Sequence, residues 1–170
     1  EIICALGLEH QLVGRSHECD YPESVNDLPV CSSAKFLPGS DSAEIDRQVK
    51  EILSDSLSIY TIDKELIKSL APDVIITQAQ CEVCAVSLKD VEFAISDLLA
   101  KGCQVISLEP HELSDIYRDI RNLADQLGVG SAGADLLELS DERIEIIRHK
   151  LKFITEKPKV ACIEWLSPLM

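Results

Sequence analysis

Residues 128–165 read GVGSAGADLLELSDERIEIIRHKLKFITEKPKVACIEW, and this stretch decides the fold. Gly128-Val129-Gly130 interrupts the pattern before it. From Ala132 to Glu156 the chain then runs about 25 residues without proline, a helix roughly 38 Å long at about 1.5 Å per residue. Leu136, Leu137, Ile144, Ile147, Leu151 and Ile154 recur along one side, with Asp141, Glu142, Glu145, Arg148 and Lys152 largely on the others. Pro158 ends the helix, and Val160-Ala161-Cys162-Ile163-Glu164-Trp165 reads as a fresh strand. No later strand in the sequence pairs with it. It therefore reads as the first strand of a second unit, expected to pair with another chain or to stay poorly ordered.

Upstream, Leu113 to Leu127 gives a helix with Ile116, Ile120, Leu123 and Leu127 on one face. Gln104-Val105-Ile106-Ser107-Leu108 before it is a strand whose exit is Glu109-Pro110-His111. Ser87 and Asp90 form a capping pair for a helix running through Leu98, Leu99 and Lys101 until Gly102 ends it. Val74-Ile75-Ile76-Thr77 is continuous in β-branched residues, as buried parallel strands tend to be. Asp63 caps a short helix through Leu70 that Pro72 stops, and Leu57 to Ile62 alternates as a strand. Asp41 with Glu44 opens a helix over Ile45, Val49, Ile52 and Leu53. Pro22 to Pro38 is mostly irregular, with Pro29-Val30-Cys31 edge-like. Leu12-Val13-Gly14 reads as a short strand, and Ile2, Ile3, Leu6 and Gly7 as the tail of a helix. Strands alternating with helices predict an α/β fold with a mainly parallel sheet, whose ligands bind beyond the carboxyl ends of the strands. Three exits carry reactive residues: Arg15 to Tyr21, Gln78 to Cys84, and Glu109 to His111.

Composition narrows the function. At 170 residues the chain is one domain of usual size, or a domain plus part of another. It is 46% hydrophobic but only 4% aromatic, so its core is built from Ile, Leu, Val and Ala. Apolar runs such as Val74-Ile75-Ile76 are far short of the roughly 18 residues of a membrane helix. A formal net charge of -14 argues against a nucleic-acid partner, which needs clustered Lys and Arg. Seven cysteines, an odd number, favour a reducing compartment or metal and ligand duties. Residue 1 is not Met, so the sequence is expected to start inside a longer protein.

An α/β lobe, one long helix and a new strand at its end resemble the helical-backbone substrate-binding proteins of ABC importers, which carry metals, ferric siderophores and cobalamin. Shorter stretches strengthen the likeness: Ile3-Cys4-Ala5-Leu6-Gly7-Leu8, Gly14 through Pro22, Thr77-Gln78 with Cys81-Glu82-Val83-Cys84-Ala85-Val86, Ser107-Leu108-Glu109-Pro110-His111, and Glu164-Trp165-Leu166. They are closest to the cobalamin branch and cover essentially the whole chain. The resemblance implies a non-enzymatic solute carrier, periplasmic or extracytoplasmic, with a corrinoid as ligand and an ABC permease as partner. It implies an N-terminal α/β lobe over 1–130, the backbone helix over 131–157, and a truncated second lobe from 158. It puts Ser16, His17, Glu18, Cys19, Asp20, Tyr21, Gln80, Cys81 and Cys84 at the cleft, faced by Glu164 and Trp165. Asp90 and Glu92 resemble the acidic contacts by which such proteins dock on permease arginines, and otherwise form a solvated face.

The residues themselves leave alternatives. His17 reads as an axial ligand to cobalt or a ligand to another metal, or as a hydrogen-bonded loop histidine anchoring the turn to Pro22. Cys81 and Cys84 have the spacing of zinc and redox sites, with Cys19 and His17 as further donors to zinc or iron. Without a second such pair they read equally as packed or ligand-facing thiols. A metal or metal-chelate carrier is thus the second reading, and a cytosolic thiol redox protein using Cys81 and Cys84 the third. Trp165 could pack on a flat macrocycle or sit in a core, and Glu109 either caps the next helix or meets ligand. Cys4, Cys31, Cys103 and Cys162 read as small core residues. Gly128-x-Gly130-x-x-Gly133 has dinucleotide spacing but follows a helix, the wrong context.

Overall fold

In this computed structural model the described residues are 1–36, 41–55, 59–78, 95–99, 102–156 and 158–169. In chain order the elements are α1 (Ile2–Ala5), β1 (Ser32–Ala34), α2 (Ser42–Asp55), β2 (Tyr60–Ile62), α3 (Lys64–Leu70), β3 (Val74–Gln78), α4 (Ser96–Leu99), β4 (Gln104–Leu108), α5 (Leu113–Gln126) and α6 (Gly130–Leu151).

β3 and β4 pair in parallel, in register from Val74 opposite Gln104 to Gln78 opposite Leu108. This is the α/β arrangement that the β-branched runs predict. Ile95 and Leu98, at α4, are buried against Ile62, Ile67, Ile75, Cys103 and Val105. Gly102 stops α4 at φ +100, a left-handed conformation that suits glycine. Its N–H donates to the Leu99 carbonyl, and the Cys103 N–H to that of Leu98.

The other pair differs from the parallel sheet expected. β1 and β2 are antiparallel, Ser32 opposite Ile62 and Ala34 opposite Tyr60. Alternation along Leu57 to Ile62 predicts a strand but not its direction. Residues 12–14 form no strand either; the chain makes only a parallel bridge between Arg15 and Val30. The Arg15 N–H donates to the Pro29 carbonyl at 2.9 Å, and the Cys31 N–H to the Arg15 carbonyl at 2.8 Å. Extending that ladder toward Val13 needs an N–H on Pro29, which has none. Gly14 is crowded by side chains: a Cβ there would lie 2.8 Å from Cys31 Sγ and 3.0 Å from Leu70 Cδ1.

Caps fall where the side chains predict them. Asp41 Oδ1 accepts the N–H groups of Ala43 and Glu44, and Asp63 Oδ1 that of Leu66. Glu44 does not complete a capping box; its carboxylate turns forward to Arg47 and Gln48. At the start of α5 the Asp115 carboxylate accepts from the His111 N–H at 2.9 Å and the Glu112 N–H at 3.1 Å.

α5 and α6 form an antiparallel hairpin around Gly128, which turns at φ +73. Ile120, Leu123 and Ala124 of α5 are buried, whereas Ile116 at the outer end is exposed. α6 answers with Gly133 and Leu137. A Cβ on Gly133 would lie 2.5 Å from Ala124 Cβ, a spacing no pair of carbons tolerates. Gly133 is thus a packing glycine. Ala124 also anchors Leu6 and Leu8, with Leu127, Val129, Ala132 and Leu136 around them.

α6 begins at Gly130 and ends at Leu151, five residues before Glu156. Phe153, Ile154 and Thr155 are poor helix formers, and the Ile154 N–H closes a turn on the Leu151 carbonyl. Only the first part of its apolar stripe is packed: Ile147, Leu151 and Ile154 are more than half exposed. Beyond it the expected strand from Val160 to Trp165 is absent. No described strand lies beside it to take its N–H and C=O groups, and the tail makes only a Leu166–Leu169 bridge. Cys162 is accordingly exposed rather than core, while Cys4, Cys31 and Cys103 are half-buried.

Gly133→Ala should cost about 1–3 kcal/mol of stability, the range for an overpacked core. Gly130→Ala meets only the tip of the Asp125 side chain and should cost clearly less. Urea midpoints of the two variants check this. Acid supplies a second test. Chiefly the His111 N–H, and then the Glu112 N–H and Arg118, hold the Asp115 carboxyl below its ordinary range against partial desolvation. A carboxyl lowered on folding stabilises above its unfolded pKa, and that contribution is lost as pH falls through the folded one. Asp115→Ala should therefore be less stable than wild type near neutrality, with the gap closing in acid; urea midpoints across a pH series read this.

Candidate functional site

The loop from Arg15 to Pro22 leaves the Arg15–Val30 bridge and is held from three directions. Arg15 turns its guanidinium along the loop, donating to the carbonyls of Ser16 at 3.2 Å, Cys19 at 2.9 Å and Asn26 at 3.3 Å. Ser16 Oγ accepts the Glu18 N–H and contacts Cys19 Sγ at 3.5 Å. These bonds satisfy the backbone of a turn that has no ladder.

The third hold comes from the β1–β2 ribbon. Ser32 Oγ accepts the His17 backbone N–H at 3.2 Å and lies 2.8 Å from His17 Nδ1. Tyr60, buried on β2, donates its O–H to Glu18 Oε1 at 3.0 Å. The Tyr60 ring also packs on the His17 ring, centroids 5.2 Å apart, and on Phe36. Ser32 and Tyr60 belong to no motif. The one sequence signal for Tyr60 is its place in an alternating strand, where a buried hydroxyl needs a partner.

Cys19, Asp20 and Tyr21 are exposed, Tyr21 at 67%. The loop thus presents Glu18, Cys19, Asp20 and Tyr21 to solvent on a fixed backbone, with Ser16 and His17 half-buried. Glu109 is exposed at the end of β4 and leaves the capping of α5 to Asp115. The register of β3 and β4 sets Gln78 opposite Leu108, so these two exits leave side by side. Gln80, Cys81, Cys84, Asp90 and Glu92 lie outside the described residues, as does the Ser87 cap. Glu164 is exposed in the tail, and Trp165 donates its indole N–H to the Ser167 carbonyl at 2.8 Å. Among the described residues no hydrogen bond or ring contact joins either to the loop.

The chemistry on show is that of holding. Ser32 and His17 sit as a nucleophile and base would, yet Ser32 Oγ is committed to the backbone N–H of the same histidine. The one carboxylate bonded into the group, Glu18, goes to Tyr60 and not to the imidazole. Among the described residues no three His, Cys, Asp or Glu side chains gather as a metal site. Burial pushes the Cys31 and Cys103 thiols up, the reverse of what an activated cysteine needs. No described helix is long and apolar enough to cross a membrane.

If Arg15 secures the loop, Arg15→Leu should speed amide exchange at Glu18 and Cys19 about tenfold, the worth of a lost charged donor. Hydrogen exchange read on the peptide spanning residues 16–27 checks this, and unchanged protection there assigns the hold to the ribbon alone.

Comparison with known proteins adds the wider context. Residues 1–168 match the model of the Periplasmic binding protein family. No curated protein matches. Solved structures do. The periplasmic heme-binding protein RhuT from Roseiflexus sp. RS-1, in apo form, is 23% identical at a TM-score of 0.61, over 93% of this chain and 48% of its own. A periplasmic heme-binding protein from Pseudomonas aeruginosa is 19% identical at 0.60, over 93% and 46%. The periplasmic vitamin B12 binding protein BtuF of Vibrio cholerae is 20% identical at 0.58, over 90% and 47%. At these identities the likeness is one of fold, and the chain spans about half the length of the structures it matches.

Proposed function

Since the chain belongs to the periplasmic binding protein family, we propose that it is the solute-binding component of an ABC importer and takes a metal-centred tetrapyrrole, a corrinoid first. The observation that carries this is the Arg15–Pro22 loop, a polar surface fixed in advance by Arg15, Ser32 and Tyr60 with nothing arranged to react. Pre-formed contacts of this kind favour binding because little ordering remains to be done when ligand arrives. The structures of similar fold include proteins described as binding heme and vitamin B12.

Within this reading Ser16 to Tyr21 form one wall of the cleft, with Gln80, Cys81, Cys84 and Glu109 beside them and Glu164 and Trp165 opposite. Residues 1–130 are the first lobe, 131–157 the backbone helix, and 158 onward the opening of the second lobe. The exposed apolar residues at the end of α6 and just beyond it, Ile147, Leu151 and Ile154, support a helix that serves two packed units. The protein acts outside the cytoplasm, without catalysis, and delivers its ligand to a permease, with Asp90 and Glu92 as docking contacts.

Full-length protein titrated separately with cyanocobalamin and hemin tests this. Quenching of Trp165 fluorescence and a shifted ligand spectrum at micromolar concentration are expected for at least one. No change with either overturns the reading.

A further inference from the structure

The tetrapyrroles of this reading differ at their edges. Some carry carboxylates, which only accept hydrogen bonds and are negative; others carry carboxamides, which both donate and accept and are neutral. We infer that the Arg15–Pro22 loop recognises a carboxamide edge and disfavours a carboxylate one, with Ser32 and Tyr60 as the residues that set this preference. The inference rests on the proposal that the loop is a ligand wall.

Three observations carry it. The cation nearest the loop is turned inward: the Arg15 guanidinium donates to the carbonyls of Ser16, Cys19 and Asn26, its Nε is buried, and those bonds are not available to an incoming carboxylate without loosening the turn. The exposed charges within the loop itself are acidic, at Glu18 and Asp20, with Glu23 directly after it. A carboxylate brought here meets like charge.

The second concerns His17. Ser32 Oγ accepts the His17 backbone N–H and stands 2.8 Å from Nδ1. Were the oxygen to accept from Nδ1–H as well, the proton of the half-buried serine would be left to solvent. With the Ser32 O–H donating to Nδ1, every group in the pair is satisfied, and the ring proton sits on Nε2. His17 then offers a donor to ligand at Nε2. The third is Glu18, one of whose oxygens takes the Tyr60 hydroxyl at 3.0 Å while the side chain stays exposed, leaving the other as an acceptor. A donor and an acceptor on consecutive residues, both held against Tyr60, are the two groups an amide requires.

The test uses full-length protein with three probes: cyanocobalamin, the same corrinoid with its peripheral amides hydrolysed to carboxylates, and hemin. Cyanocobalamin should bind about tenfold or more tightly than either carboxylate-bearing probe, the cost of one unpaired polar group at a desolvated contact. Nitrogen-15 imidazole spectra of neutral His17 should show the proton on Nε2. Ser32→Ala should lose that tautomer bias together with the preference, and Ser32→Thr should keep both. Equal or reversed preference, or a His17 proton on Nδ1, overturns the inference while leaving the importer reading intact. Binding of none of the three overturns that reading and this inference with it.

Discussion

The helical half of this structure hangs from the close approach of Gly133 to Ala124. Two helix backbones can come that near only where one position lacks a Cβ, and the space for a single methyl decides whether α6 can seat on α5. Ala124 is fully buried at the same point, with Leu6 and Leu8 packed on its other side. One small contact therefore joins the chain's first turn, the helix following β4, and the long helix. The glycines around residue 130, whose spacing suggests a phosphate loop on paper, are explained instead by helix geometry.

The loop bearing the reactive side chains is organised on the opposite principle. It has almost no apolar core of its own and is kept in shape by hydrogen bonds to backbone groups. Arg15 is a cation used as a brace, and Ser32 and Tyr60 brace from the ribbon. A surface of this kind is stiff without being buried. That suits a group meeting its partner from solvent, since ordering at the moment of binding would subtract from affinity.

Much of this was legible in the sequence, and the parts that were not share a cause. The caps at Asp41 and Asp63, the parallel pair of β3 and β4, the stop at Gly102 and the long helix follow from local chemistry: a side chain that accepts an N–H, a β-branched run, a glycine at positive φ. The direction of β1 against β2 did not follow, because alternation encodes which face is buried and not which way a neighbour runs. Leu12 to Gly14 looks strand-like residue by residue and fails because Pro29, fifteen positions from Gly14, cannot donate. Val160 to Trp165 has the composition of a strand and lacks a neighbour. In the site, His17 and Glu18 stood out as reactive types, but the residues that aim them are a serine and a strand tyrosine with no motif. Local propensity is written locally; pairing and aim are properties of what arrives from elsewhere in the chain.

The mechanical consequence lies in α6. Its first half is packed through Gly133, Leu136 and Leu137, and from Glu145 onward every residue is exposed. At about 1.5 Å per residue its 22 residues span about 33 Å, so each degree of rotation at the base moves the tip by about 0.6 Å. A base locked by a methyl-sized contact permits few degrees, because the alternative is collision or a void. The far end of α6 is thereby held to small movements relative to α5. The braced loop and the packed base of α6 share one property: neither has much room to reorganise.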